Sequence, residues 1–159
     1  GTARADTLFG SRYNDTINGA GGNDYLLGGN GADRLLGGAG NDKLVGGMGR
    51  DTLNGGIGAD TFIFNDAAES VGVGRDFITG FQAGIDNFDL AGIDANAIAA
   101  GNQAFRFIGT AAFTGAGQLQ YTWSGGDTYI SGNTDADAAP EFEIRIQGQH
   151  TLYAGDFIL

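Results

Sequence analysis

The chain has 159 residues, including 31 glycines, one proline and no cysteine, and its formal net charge is −11. This glycine content excludes a helical bundle as the main architecture, and without cysteine no disulfide can stabilise the fold. The absence of an apolar run of about 18 residues predicts no membrane insertion, and the acidic balance with a single lysine argues against nucleic acid as a partner.

The amino-terminal part is periodic. Asp6, Asp15, Asp24, Asp33, Asp42, Asp51 and Asp60 stand nine residues apart, each followed two positions later by an apolar residue: Leu8, Ile17, Leu26, Leu35, Leu44, Leu53 and Phe62. Around them run GGNGADRLL (28–36), GGAGNDKLV (37–45), GGMGRDTLN (46–54) and GGIGADTFI (55–63), after the looser GAGGNDYLL (19–27) and the degenerate GSRYNDTIN (10–18). A fixed period of this kind outranks local propensity. A GGxGxD hexapeptide turns tightly through φ values that glycine reaches without steric cost. The three residues after it form a short strand whose central side chain faces a core. One turn and one strand reverse the chain, so two repeats complete a coil of eighteen residues. Turns two repeats apart then stack about 4.8 Å apart, which brings aspartates into mutual repulsion. A divalent cation between the turns relieves it, and a donor set of carboxylates and carbonyls selects Ca²⁺.

With these repeats the chain resembles the RTX (repeats-in-toxin) proteins, whose nonapeptides build a calcium-loaded parallel β-roll. The segment DFITGFQAGIDNFDLAGID (76–94) is similar to the one that follows the roll in serralysin-type metalloproteases and in the R-modules of mannuronan C5-epimerases. The terminal AGDFIL (154–159) resembles the carboxyl end of type I secretion substrates. The resemblance implies an all-β fold: a right-handed parallel β-roll over residues 1–64, capped by an antiparallel β-rich segment over residues 65–159.

It also implies ligands. One turn contributes carbonyls from its second and fourth positions and its Asp, and the turn two repeats later contributes carbonyls from its first and third positions and its own Asp. Site one takes Ala20, Gly22 and Asp24 with Gly37, Ala39 and Asp42. Site two takes Gly29, Gly31 and Asp33 with Gly46, Met48 and Asp51, and site three Gly38, Gly40 and Asp42 with Gly55, Ile57 and Asp60. A weaker site pairs Ser11, Tyr13 and Asp15 with Gly28, Asn30 and Asp33; a further pairing joins Asp6 to Asp24. The alternative for these aspartates, simple turn capping, leaves the nine-residue period unexplained.

Residues 1–64 carry seven Asp against five basic residues, a formal −2, and residues 65–159 carry twelve acids against three, a formal −9. About four Ca²⁺ would take the roll to roughly +6. Either a polyanion-binding surface or plain charge balance within the molecule accounts for that.

On the outside of the roll, Phe9, Leu27, Val45 and Ile63 form an apolar stripe on one sheet, opposite Asn18, Leu36 and Asn54 on the other. The stripe needs a cover, and the carboxyl-terminal half is expected to supply it.

That half begins with a polar loop at 65–74, a candidate module boundary. Strands are expected at 77–81 and 87–90, a helical turn at 95–100, and strands at 105–108, 119–123 and 128–131. The last two are joined as a hairpin around Ser124-Gly125-Gly126-Asp127. Residues 141–147 alternate, with Phe142, Ile144 and Ile146 inward. Asp76, Asp86 and Asp89 are candidates either for one further cation or for solvated turns, and Asp135 and Asp137 are read as exposed loop residues.

Tyr121 and Trp123, with Tyr129 across the hairpin, are candidates for a sugar-binding platform or for hairpin packing. One histidine, His150, and no HExxH, GxSxG or phosphate loop leave no nucleophile–base pair or zinc site. The expectation is a non-catalytic, secreted module with no catalytic residue and with Ca²⁺ as its cofactor. It is expected to fold on extracellular calcium and to be exported by a type I system. The absence of an amino-terminal signal peptide and the start at Gly1 without Met suggest a covalently linked upstream domain. The alternative function is binding of an acidic, alginate-like polysaccharide.

Overall fold

A computed structural model describes residues 1–135 and 137–159. The repeats form β1 (Thr7–Phe9), β2 (Thr16–Gly21), β3 (Tyr25–Asn30), β4 (Arg34–Ala39), β5 (Lys43–Met48), β6 (Thr52–Ile57) and β7 (Thr61–Ile63). Odd strands pair in parallel on one sheet and even strands on the other, each residue meeting the one eighteen positions on, as in Leu26 with Leu44 and Leu35 with Leu53. This is the eighteen-residue coil of a parallel β-roll. Strands reach six residues rather than three because the first glycines of the following turn remain in the ladder.

The residue two after each Asp points inward. Leu26, Leu35, Leu44, Leu53 and Phe62 are fully buried, whereas Ile17 lies at the margin and Leu8, in the terminal coil, is only half-buried. Each buried side chain contributes about 1.5–3 kcal/mol, too little per coil to offset the ordering of so many glycines.

The chain then continues through β8 (Phe77–Thr79), β9 (Asn87–Asp89), β10 (Arg106–Phe107), β11 (Gln118–Ser124), β12 (Asp127–Asn133), β13 (Phe142–Ile146) and β14 (Phe157–Ile158). These strands prolong both sheets: the orders are β1-β3-β5-β7-β9-β14 and β10-β11-β12-β13-β8-β6-β4-β2. Antiparallel pairing is confined to β11–β12–β13, while β8, β9, β10 and β14 pair in parallel. The expected hairpin is present, with Ser124 opposite Asp127 and both Gly125 and Gly126 at positive φ. Residues 95–100 form bends and turns instead of a helical turn. There Asn96 and Asp94 side chains accept backbone N–H groups, a local alternative to the helix.

The core runs without a break from the roll into an aromatic cluster. Phe88 lies 5.6 Å from Phe62, 4.9 Å from Phe81 and 5.9 Å from Phe157 between ring centroids. The expected cover over the outer stripe is only local. Val45 is buried against the 3-10 turn Ala67–Glu69, Leu27 and Ile63 are half-buried, and Phe9 is 68% exposed. Having joined the edges of the sheets, the second half has little chain left to lie across their faces.

Candidate metal centre

Two ladders of aspartates line the edges of the roll. On one, the N–H of Asp6, Asp24 and Asp42 donates to Oδ1 of Asp24, Asp42 and Asp60, at 2.8, 2.8 and 2.9 Å. On the other, Asp15, Asp33 and Asp51 donate to Oδ1 of Asp33, Asp51 and Asp76, each at 2.7 Å. One oxygen of each carboxylate is thereby used. The other, Oδ2, is buried and without any hydrogen-bond partner in Asp24, Asp33, Asp42, Asp51, Asp60 and Asp76.

The turn glycines make room for these oxygens. A Cβ at Gly19, Gly28, Gly37, Gly46 or Gly55 would overlap Oδ2 of the Asp five residues later. Positive φ occurs at the second and fourth turn positions, for example 108° at Gly29 and 123° at Gly31, and Ala20 adopts it at 75°. It aims the carbonyls of Ala20, Gly22, Gly29, Gly31, Gly38 and Gly40 at the turn two repeats on, so closely that a Cβ there would meet them. From the other side, the carbonyls of Gly37, Gly46 and Gly55 face Gly19, Gly28 and Gly37. The third-position carbonyls of Ala39, Met48 and Ile57 accept N–H bonds from Gly22, Gly31 and Gly40 at 2.8–2.9 Å. The donors of each of the three main sequence-derived sites therefore meet between one pair of stacked turns.

The amino-terminal turns differ. Oδ2 of Asp15 accepts from Ser11 N–H and Oγ at 2.6 and 2.8 Å, and Oδ2 of Asp6 accepts in the same way from Thr2. A hydroxyl residue at the second position thus satisfies the carboxylate within its own turn. Across the 10–15 and 28–33 turns the carbonyls of Ser11 and Tyr13 still abut Gly29 and Gly31, and Asp33 keeps its free oxygen. Asn30 donates its N–H to Ser11 O at 3.1 Å.

Loss of water raises the pKa of Asp33 and Asp42, and lifts Asp51 and Asp60 to about 6 and Asp76 to about 9, against the opposing N–H bond from the preceding Asp. At Asp6, in contrast, the Thr2 N–H and hydroxyl lower it. Anionic oxygens buried without a partner are costly. A hard cation among carboxylates and carbonyls removes that cost, so this all-oxygen donor set fits calcium. Bound there, it would tie successive coils together.

Asp76, Asp86 and Asp89 do not converge. Asp76 ends one ladder; Asp86 ends the other, its Oδ2 accepting from Gln82 N–H at 2.9 Å; Asp89 caps Ala91. Nor does the aromatic platform form, because Tyr121 and Trp123 share one face of β11 whereas Tyr129, opposite Thr122, lies on the other. Tyr121 is buried, and Trp123 donates its indole N–H to His150 O at 2.9 Å.

Sequence reasoning missed a carboxylate group at Asp135, Asp137 and Glu141. Its only signal was the two-residue spacing Asn133, Asp135, Asp137, which folds as successive turns with Asn133 Oδ1 accepting from Asp135 N–H and Asp135 Oδ1 from Asp137 N–H. It also missed Gln82, whose side-chain N–H donates to Gly56 O at 3.1 Å, and the buried Glu69.

Stacked GGxGxD turns with unpartnered carboxylate oxygens define a calcium-binding β-roll of the RTX type. The chain belongs to the family described as "Peptidase M10 serralysin C terminal", which matches residues 14–159. Two solved structures are similar to it, both subunits of the mannuronan C5-epimerase of Azotobacter vinelandii. The AlgE6R2 subunit is 30% identical with a TM-score of 0.67, over 96% of this chain and 91% of that one. The AlgE6R3 subunit is 28% identical with a TM-score of 0.59, over 99% and 80%. The protein is accordingly an RTX-type calcium-binding module of the kind found in serralysins and alginate epimerases, and its relatives are parts of larger enzymes.

Proposed function

We propose that this module is the non-catalytic tail of a larger exported protein, with residues 1–64 as a roll that folds on extracellular calcium and residues 65–159 as its cap. The observation that carries this reading is the set of buried Asp Oδ2 atoms without partners, recurring through the repeats. About four ions would bind in the three main sites and the Ser11–Asp33 gap. Each would couple two coils, so that binding free energy serves as folding free energy. In calcium-poor cytosol the roll stays unfolded for passage through a type I exporter, which reads the carboxyl-terminal AGDFIL. In the folded protein Phe157 of that segment is buried in β14 beside β9, so the exporter engages it before the cap closes. His150 supports a structural role: its ring bonds to Gln147 O and packs edge-on against Phe81.

Circular dichroism with calcium and then EGTA tests the folding; a sheet spectrum indifferent to EGTA would refute it. Deleting residues 154–159 should abolish export in cells carrying a type I exporter.

A second reading, binding of an acidic polysaccharide, is supported by the similarity to the epimerase subunits and by one row on the eight-stranded sheet. Arg34, Thr52, Phe77, Arg145, Tyr129 and Thr122 follow one another in register across it. Calorimetric titration of oligouronate into the calcium-loaded protein should then release heat, and a flat titration would eliminate the reading.

A further inference from the structure

The two aspartate ladders end differently. On the Asp60 side, the last gap is closed by protein donors: Gln82 N–H satisfies Asp86 Oδ2 and the Gln82 side-chain amide satisfies Gly56 O. On the Asp51 side nothing comparable occurs. Asp76 takes the place of a repeat aspartate, with Asp51 N–H on its Oδ1 and the following strand in register, Thr52 opposite Phe77. Yet it lies 25 residues from Asp51 rather than 18 and follows SVGVGR, not a glycine repeat. Its side chain is completely buried and its Oδ2 has no partner. Asp51, equally buried, also presents a free Oδ2. Glu69 is close enough for its charge to act on both, and Gly49 O faces Gly74 across the gap.

The segment is held in place independently of any ion. Ser70 Oγ accepts from Asp76 N–H at 2.8 Å and donates to Glu143 O at 2.7 Å, while Glu143 N–H donates to Ser70 O at 2.9 Å. Strand β13 thus fixes the loop that carries Glu69 and Asp76 over the last glycine turn. Three buried carboxylates with fewer donors than oxygens, on a preorganised frame, require a cation.

We propose a calcium site outside the repeats, between the 46–51 turn and the 69–76 segment, with Asp76, Asp51 and Glu69 as its carboxylate ligands and Gly49 as a carbonyl ligand. It rests on the calcium-roll reading and extends it: this ion joins the roll to the cap, the role that Gln82 fills on the opposite edge.

The test counts calcium per chain by native mass spectrometry on the full chain and on Asp76→Asn and Asp86→Asn. The amide of Asp76→Asn still accepts the Asp51 N–H, so the sheet spectrum at saturating calcium should persist while one ion is lost. Asp86→Asn should keep every ion. An unchanged count in Asp76→Asn overturns the site, whereas a wild-type chain that binds no calcium overturns the roll reading itself. If Asp76→Asn does not fold, terbium soaked into wild-type crystals decides. An anomalous peak between Asp51 and Asp76 is expected, and its absence overturns the proposal.

Discussion

Replacing Asp42 by alanine separates a cation-bridged ladder from a merely turn-capped one. Asp42 takes part in two of the stacked-turn sites, its Oδ2 is unpartnered, and its Oδ1 holds the Asp24 N–H at 2.8 Å. At calcium about 100-fold above the dissociation constant, each occupied site adds about 2.7 kcal/mol to the folded state, so loss of two removes about 5 kcal/mol. The buried Asp24 N–H left without an acceptor costs about 1–3 kcal/mol more. The total of about 6–8 kcal/mol is comparable to the whole stability of a small domain. Asp15→Ala removes a carboxylate already satisfied by Ser11 at an exposed turn, a loss of about 1 kcal/mol. Calcium titrations followed by circular dichroism, with melting temperatures at saturating calcium, read both variants. Equal shifts in midpoint and melting temperature for Asp42→Ala and Asp15→Ala would refute the pairing of stacked turns.

The outer face of the roll yields a second comparison: Val45→Asp buries a charge beneath the Ala67–Glu69 turn and should destabilise the calcium form by about 3 kcal/mol or more. Asn54→Asp, on the other sheet, forfeits only its bond to Thr79 Oγ1 at 3.0 Å, about 1 kcal/mol. Melting temperatures that fall alike would show that the turn does not seal Val45. The raised carboxylate pKa values set the pH response of the calcium-free chain. Its folded form binds more protons than the unfolded form, so stability is greatest below about pH 4. It is lost as pH rises through about 6 for Asp51 and Asp60 and on toward 9 for Asp76. Far-UV spectra in EGTA should therefore show most sheet in acid; a metal-free chain that gains sheet as pH rises would contradict this. For the same reason, the calcium midpoint should move to higher concentration below pH 6.

The repeat alone determined the roll. A nine-residue period dictates where the chain turns, and period-two alternation within each strand puts Leu26, Leu35, Leu44 and Leu53 inside. Even the contrast between Asp15 and the later aspartates was legible, as a departure from glycine at Ser11. In the second half no period links residues distant in sequence, and pairing decided the outcome. Asp76 joins a ladder because β8 adds to β6, Gln82 closes the other ladder because β9 adds to β7, and Tyr129 is separated from Trp123 by the register of one hairpin. The burial that leaves Asp76 Oδ2 without water or donor is a property of the assembled sheets. Local sequence shows an ordinary aspartate there, because desolvation is supplied by strands far away along the chain.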